Sequence, residues 1–199
     1  MQILPVFSVP VAKIEAPQFL EVCRPLFDGR VALQTCTEGH STSLTGYFDA
    51  NNPVDIEGIE PFKKFLCAMA MDYIKTIGYK ASVYEARVAS IWINEMVSGG
   101  VHKKHSHYGN HLSGCYYIEM PKDSAGITLY SFLERFDKMD IEVENYSPFN
   151  SSGWTCPVKE GDLLMWESYL KHEVPPSEFE GKRRSIAFDI LLSRIPQKQ

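Results

Sequence analysis

Three histidines in the second half of the chain have the residue type and the spacing of a metal site. His105 and His107 are two residues apart, and His172 follows 65 residues after the second of them. Side chains at positions i and i+2 lie on the same face of a β-strand, so both imidazoles can reach one ion, and a distant third histidine can close the site. Neutral imidazole suits iron, zinc, copper or nickel. We therefore predict that these three histidines bind a metal ion.

A basic pair follows the last of these histidines. Arg183 lies eleven residues after His172 and opens the segment Arg183-Arg184-Ser185. A guanidinium group binds a carboxylate through two parallel hydrogen bonds, so an arginine near the metal can hold one end of a dicarboxylic acid. Neighbours on a strand point to opposite faces, and only one of the two arginines can therefore face the site.

The composition indicates one globular domain. The chain has 199 residues, of which 44% are hydrophobic and 23% charged, and we predict a single domain over 1–199. A net charge of −5 without a basic stripe disfavours nucleic-acid binding, and no apolar run is long enough to span a membrane. The five cysteines form no paired motif, which is typical of reduced thiols in the cytoplasm.

The elements that must position the histidines are mostly strands. An edge strand broken at its prolines is predicted over 1–14, a short helix over 17–27, a long loop over 30–53 and the clearest helix over 59–77. A long strand over 84–96 precedes shorter ones at 104–107, 112–120, 127–132, 163–166, 172–174 and 185–192, and residues 133–155 read as a surface loop that could close over a substrate. This order predicts a mainly β fold with added α. We expect a double-stranded β-helix, jelly-roll or cupin-like, over 84–193, with the strand and helices of 1–83 supporting its major sheet.

At these residues the chain resembles a known family. The segments that carry the resemblance are His105-Ser106-His107-Tyr108-Gly109-Asn110-His111-Leu112-Ser113-Gly114-Cys115-Tyr116-Tyr117, then Gly161-Asp162-Leu163, His172 and Arg183-Arg184-Ser185-Ile186-Ala187-Phe188. They look like the core of small bacterial and phage 2-oxoglutarate/Fe(II)-dependent oxygenases, which are related to prolyl hydroxylase-type enzymes. The resemblance covers roughly residues 92–192, and its specificity lies in the order of the pieces.

The resemblance implies a hydroxylase that uses Fe(II), 2-oxoglutarate and O2 and releases succinate and CO2. His105 and His172 would bind iron, and Arg183 would bind the distal carboxylate of 2-oxoglutarate, with Ser185 beside it. Tyr116 or Tyr117, together with Asn94, would donate hydrogen bonds to the cosubstrate. The substrate itself is not indicated, and neither is the oligomeric state, for which a homodimer is one expectation.

His107 departs from the family pattern, because most members of the wider superfamily carry an aspartate or glutamate two residues after the first histidine. Three interpretations follow. His107 is the third ligand, or it lines the site with water in its place, or a carboxylate elsewhere, such as Glu85 or Glu95, completes the set. Strand parity favours the first.

Two other classes of protein fit the same residues. A cupin-like hydrolase or isomerase would bind Zn(II) or Mn(II) and ignore 2-oxoglutarate, and a non-catalytic sensor would bind metal or ligand without turnover. His102 and His111 are expected to be solvent-exposed or to make loop hydrogen bonds, and not to bind the metal.

Overall fold

The computed structural model describes residues 1–4, 8–28, 34–35, 43–45, 58–132, 141–147 and 149–196. For the two short segments 34–35 and 43–45, only the backbone is described.

Two α-helices lie among the described residues of the first half of the chain. Helix α1, Leu20–Cys23, is flanked by single 3₁₀ turns at Pro17–Phe19 and Arg24–Phe27. Helix α2, Glu60–Thr76, buries a stripe formed by Phe62, Leu66, Ala70, Tyr73 and Ile74. It ends before Gly78, whose φ of 96° belongs to the left-handed region that glycine adopts without a steric cost. Neither described helix is long and apolar enough to cross a membrane.

The strands form two sheets. In chain order they are β1 Val11–Glu15, β2 Gln34–Thr35, β3 Ser43–Thr45, β4 Tyr84–Met96, β5 His102–His105, β6 Leu112–Glu119, β7 Thr128–Tyr130, β8 Gly153–Thr155, β9 Asp162–Glu167, β10 His172–Val174 and β11 Arg183–Arg194. The major sheet has the order β1-β9-β6-β11-β4-β3-β2, and the minor sheet has the order β5-β10-β7-β8. Every pairing between the described strands is antiparallel.

Two hydrophobic clusters cover the two faces of the major sheet. One face packs against α2 through residues such as Tyr116, Ile186 and Phe188. The other face, with Cys115, Tyr117 and Trp166, packs against Leu129 and Val174 of the minor sheet. The predicted fold is confirmed: two facing sheets form a double-stranded β-helix, and α2 supports the major one.

Most predicted elements lie where the sequence placed them. Strand β4 has the predicted bounds, and β1 is an edge strand of the major sheet, as expected. Three predictions were wrong in part. The stretch 133–155 was taken for loop throughout, but it ends in β8, and the strand predicted at 104–107 is instead β5, which ends at His105. The loop predicted over 30–53 contains β2 and β3, and the rest of it lies outside the described residues.

Candidate active site

A cavity of ≈ 530 Å³ lies between the two sheets. Strand β11 forms its floor. Alternate residues of a strand share a face, so every second side chain at the start of β11 faces the cavity. Arg183, Ser185 and Ala187 line the cavity, while Ile186 and Phe188 point into the core on the helical side. A volume of this size suits a small-molecule ligand.

The structure brings the three predicted histidines together at this cavity. His105 of β5 and His172 of β10 are paired directly across the minor sheet. His107 lies in the segment after β5, so strand parity does not place it; its backbone N–H donates to the Ser168 carbonyl at 3.0 Å instead. One ring nitrogen from each histidine lies within 4.8 Å of the other two.

Each imidazole is oriented through its Nδ1 atom. His105 Nδ1 donates to the Lys103 carbonyl at 2.6 Å, and His172 Nδ1 donates to the Leu170 carbonyl at 3.0 Å. His107 Nδ1 lies 2.7 Å from a carboxylate oxygen of Asp189. A histidine whose Nδ1–H is held by an oxygen acceptor keeps Nε2 free as a ligand. The donor set therefore fits a metal ion with open coordination positions.

Burial keeps two of these imidazoles in the neutral form that binds metals. It lowers the pKa of His172 to about 3, and the neighbouring His105 adds to this effect. Burial also lowers the pKa of His105. At neutral pH neither ring must lose a proton before an ion binds.

Aromatic rings enclose the histidines. The Trp92 ring centroid lies 5.4 Å from that of His107, and the Trp166 ring meets His172 edge-on at 5.0 Å. Both tryptophans form part of the cavity wall. An apolar wall limits the access of water to a bound ion.

A buried guanidinium lies on the same floor. Arg183 is 1% exposed, its Nε donates to the Ala125 carbonyl at 2.9 Å, and its Nη1 lies 3.4 Å from Ser185 Oγ. Its Nη2 has no hydrogen-bond partner among the described residues, and neither has Oδ1 of Asn94, which is paired with Ser185 across the sheet. An unpaired buried donor on a cation is costly unless an anion binds it. The arginine therefore fits the distal carboxylate of a dicarboxylic acid.

Arg184 faces away from the cavity. Its guanidinium pairs with Glu95 at 2.9 Å and with Glu119 at 3.5 Å. Glu95 also pairs with Lys182 at 2.7 Å, and Glu85 lies opposite Ser193, near the other end of β4. The structure therefore places neither glutamate among the histidines, where the third interpretation of the metal site needs one.

The two candidate tyrosines lie on opposite faces of β6. The Tyr117 ring lies beneath the guanidinium of Arg183, 5.4 Å from its central carbon to the ring centroid. Tyr116 points to the helical side, where its hydroxyl donates to the Ala16 carbonyl at 2.7 Å and its ring packs on Phe62. Tyr116 therefore lies on the wrong side of the major sheet to hydrogen-bond a cosubstrate in the cavity.

Sequence reasoning missed two residues of the site. His102 was expected to be solvent-exposed or to make loop hydrogen bonds, but it lies on β5 and lines the cavity, and burial lowers its pKa to about 4. Asp189, fully buried behind His107, was not considered; its even spacing from Arg183 along β11 was the signal that could have found it. His111 accepts a hydrogen bond from the Leu192 backbone, which is the loop role predicted for it.

A family model described as "Putative 2OG-Fe(II) oxygenase" matches residues 90–189. The chain belongs to this family. The match includes the three histidines, Arg183 and Asp189, so the 2OG-Fe(II) oxygenase model spans the whole set of residues around the cavity. The predicted activity class, a 2-oxoglutarate/Fe(II) oxygenase, is confirmed by this membership.

Solved structures of such oxygenases share the fold. A prolyl-4-hydroxylase from Pseudomonas putida is 14% identical, with 92% of this chain and 93% of that chain covered and a TM-score of 0.55. The viral collagen prolyl hydroxylase of Paramecium Bursaria Chlorella virus-1, in complex with 2OG, is 12% identical over 90% of this chain and 94% of that chain, also with a TM-score of 0.55. At these identities the likeness shows a common fold.

A third structure is longer than this chain. The oxidoreductase of the 2OG-Fe(II) oxygenase family from Burkholderia pseudomallei is 13% identical, with a TM-score of 0.50, and the match covers 69% of this chain and 58% of that one. Comparison with curated proteins gives no match.

Proposed function

We propose that this oxygenase hydroxylates a substrate through Fe(II) bound by His105, His107 and His172, and that Arg183 holds its 2-oxoglutarate. One observation carries the assignment. Three imidazole nitrogens within 4.8 Å of one another share a cavity with a buried guanidinium that has an unpaired donor. A metal-dependent hydrolase needs the first feature but has no use for the second.

The free Nε2 atoms of the three histidines would hold the metal ion. His105 and His172 are held side by side by the register of the minor sheet, and His107 is held by hydrogen bonds from both its backbone and its ring. A metal ion held by these three residues would keep coordination positions open for a chelating acid and O2.

The cosubstrate pocket lies along β11. Arg183 would pair with the distal carboxylate, Ser185 would hydrogen-bond beside it, and the Asn94 amide would meet the acid from β4. Tyr117 supports the guanidinium from below and so limits its rotation. The unpaired Nη2 makes a charged acceptor the best partner for this pocket.

Bound Fe(II) and 2-oxoglutarate would supply the activation of O2, with succinate and CO2 as products. The contribution of the chain is to place and shield these groups. Neutral imidazoles bind without releasing protons, the guanidinium sets the direction of the acid, and the two tryptophan rings keep water away from the histidines.

The cellular setting stays a prediction. The four described cysteines, Cys23, Cys67, Cys115 and Cys156, are free thiols, and Cys36 lies outside the described residues. Free thiols support a cytoplasmic location. We retain a single domain over 1–199 and a homodimer as predictions.

Anaerobic titration tests the proposal. Fe(II) and then 2-oxoglutarate are added to metal-free protein while the visible charge-transfer band of keto-acid chelation is followed. A saturable band at one equivalent, followed by succinate release on admission of air, is the expected result. Tight metal binding without a band would indicate hydrolase or isomerase chemistry, and the proposal would be wrong.

A further inference from the structure

We propose that Asp189 is a positioning residue that makes His107 equivalent to the carboxylate ligand of the wider superfamily. The inference rests on the proposed function, since it needs His107 on the metal. Asp189 does not bind the ion; it supplies the negative charge from behind the imidazole and fixes which nitrogen faces the ion.

The first support is the hydrogen bonding of the aspartate. Its Oδ1 accepts from His107 Nδ1 at 2.7 Å and from Ser113 Oγ at 2.7 Å, and its Oδ2 accepts from Ser90 Oγ at 3.2 Å. Ser90 and Ser113 lie directly opposite Asp189 on the two neighbouring strands. Three donors converge on one carboxylate, so both of its oxygens are fixed.

The second support is that these contacts form a closed ring around His107. Ser113 Oγ lies 2.8 Å from Ser168 Oγ, and the Ser168 carbonyl accepts the His107 backbone N–H. His107 follows the end of β5 and lies outside the described strand pairing of the minor sheet. The ring of Asp189, Ser113 and Ser168 therefore does for His107 what the sheet register does for the other two histidines.

The third support is charge. Asp189 is 1% exposed, and among the described residues no lysine or arginine forms an ion pair with it; its contact with the His107 ring is an ion pair only if that ring is protonated. A buried carboxylate without a lysine or arginine is costly, and a divalent ion on the far side of the imidazole offsets that cost. Three neutral imidazoles leave the charge of Fe(II) uncompensated, whereas two histidines and a carboxylate reduce it by one. His107 and Asp189 together carry that same single negative charge.

The other two histidines differ from His107 in the acceptor that their Nδ1 atoms contact. Their Nδ1 atoms donate to backbone carbonyls, which are neutral. Only the histidine that stands where the superfamily has a carboxylate is backed by a charged acceptor. Carboxylate acceptors raise the basicity of an imidazole ligand and fix its tautomer.

Metal affinity without turnover tests the inference. Co(II), followed by its visible absorption under competition with a chelator, is titrated into the wild-type protein and into Asp189→Asn. Asparagine preserves size and an acceptor oxygen but removes the charge. We expect affinity to fall about 10- to 100-fold, the usual effect of losing the acceptor behind a metal-bound histidine.

Asp162→Asn is the matched control. Asp162 is also a fully buried aspartate of the major sheet, but it bonds Lys13 and the Lys159 backbone N–H, away from the histidines. We expect its variant to bind Co(II) with wild-type affinity. Equal affinity of wild type and Asp189→Asn, or an equal loss in both variants, would overturn the inference.

A double-mutant cycle separates positioning from general stability. In a His107→Asp background the carboxylate ligand is present directly, so a further Asp189→Asn change is expected to cost no metal affinity. A loss as large as in the wild-type background would show a merely structural role. Wild-type protein that binds no Co(II) would refute the proposed function, whereas an insensitive Asp189→Asn variant refutes this inference alone.

Discussion

Replacement of Arg183 by methionine probes the cosubstrate pocket. Methionine retains much of the buried volume but removes the unpaired Nη2 donor and the charge, while the Tyr117 ring beneath stays in place. Loss of one partner of a buried charge pair costs about 2 to 4 kcal/mol, which is about a 30- to 900-fold rise in the dissociation constant of 2-oxoglutarate. Little of this cost is screened, because the guanidinium is 1% exposed.

The assay is the anaerobic charge-transfer band at saturating Fe(II), titrated with 2-oxoglutarate. Arg184→Met is the matched control, since Arg184 is the next residue on the strand but pairs with Glu95 and Glu119. We expect its dissociation constant to stay within about twofold of wild type, as for other partly exposed ion pairs.

Pyruvate adds a chemical control, because it chelates in the same way but lacks the distal carboxylate. We expect wild type and Arg183→Met to bind pyruvate equally weakly. An unchanged 2-oxoglutarate dissociation constant in Arg183→Met, or an equal rise in Arg184→Met, would refute the reasoning.

Three further predictions address the metal site and the fold. His172→Ala should abolish succinate release, because it removes one of three ligands; succinate formation at the wild-type rate would contradict the site. For metal-free protein, the pKa of His172, lowered to about 3, means that between pH 6.5 and 3 the unfolded chain binds a proton that the folded chain does not. The free energy of unfolding should therefore decrease as the pH decreases, by about 2 kcal/mol from this residue between pH 7.5 and pH 5. Urea denaturation at these two pH values checks the prediction, and equal stability at both would show that folding does not lower the pKa of His172. Tyr116→Phe should lower the free energy of unfolding by about 1 kcal/mol, through the lost hydrogen bond to the Ala16 carbonyl, and leave the 2-oxoglutarate dissociation constant unchanged. A higher dissociation constant in the charge-transfer titration would show that Tyr116 does contact the cosubstrate.

The parts of the site that follow from strand geometry could be predicted from the sequence. His172 lies on the three-residue strand β10, Arg183 begins the twelve-residue strand β11, and β4 was predicted with its true bounds. The choice between Tyr116 and Tyr117 could not be made, because the irregular segment between β5 and β6 hides the phase of the alternation. Only the tertiary structure shows which tyrosine faces Arg183.

Residues held by long-range contacts could not be predicted. His107 was assigned from an alternation that ends at His105, and its position depends on Ser168, some sixty residues later in the chain. Asp189 lies between apolar neighbours of β11, and its even spacing from Arg183 becomes a signal only when the face of β11 that lines the cavity is known. Strand β8 was missed because three residues in a polar stretch carry no visible period.

The alternation along β11 couples recognition to folding. Arg183, Ser185 and Asp189 occupy one face, while Ile186, Phe188 and Ile190 fill the core on the other. A slip of one residue would exchange the two faces, burying the charged groups in the core and exposing the apolar ones to the cavity. A misregistered molecule therefore cannot persist as a stable protein with a damaged pocket. The register of β11 that allows the chain to fold is therefore the same register that forms the cosubstrate pocket. Substitutions in this strand are limited both by core packing and by binding of the acid.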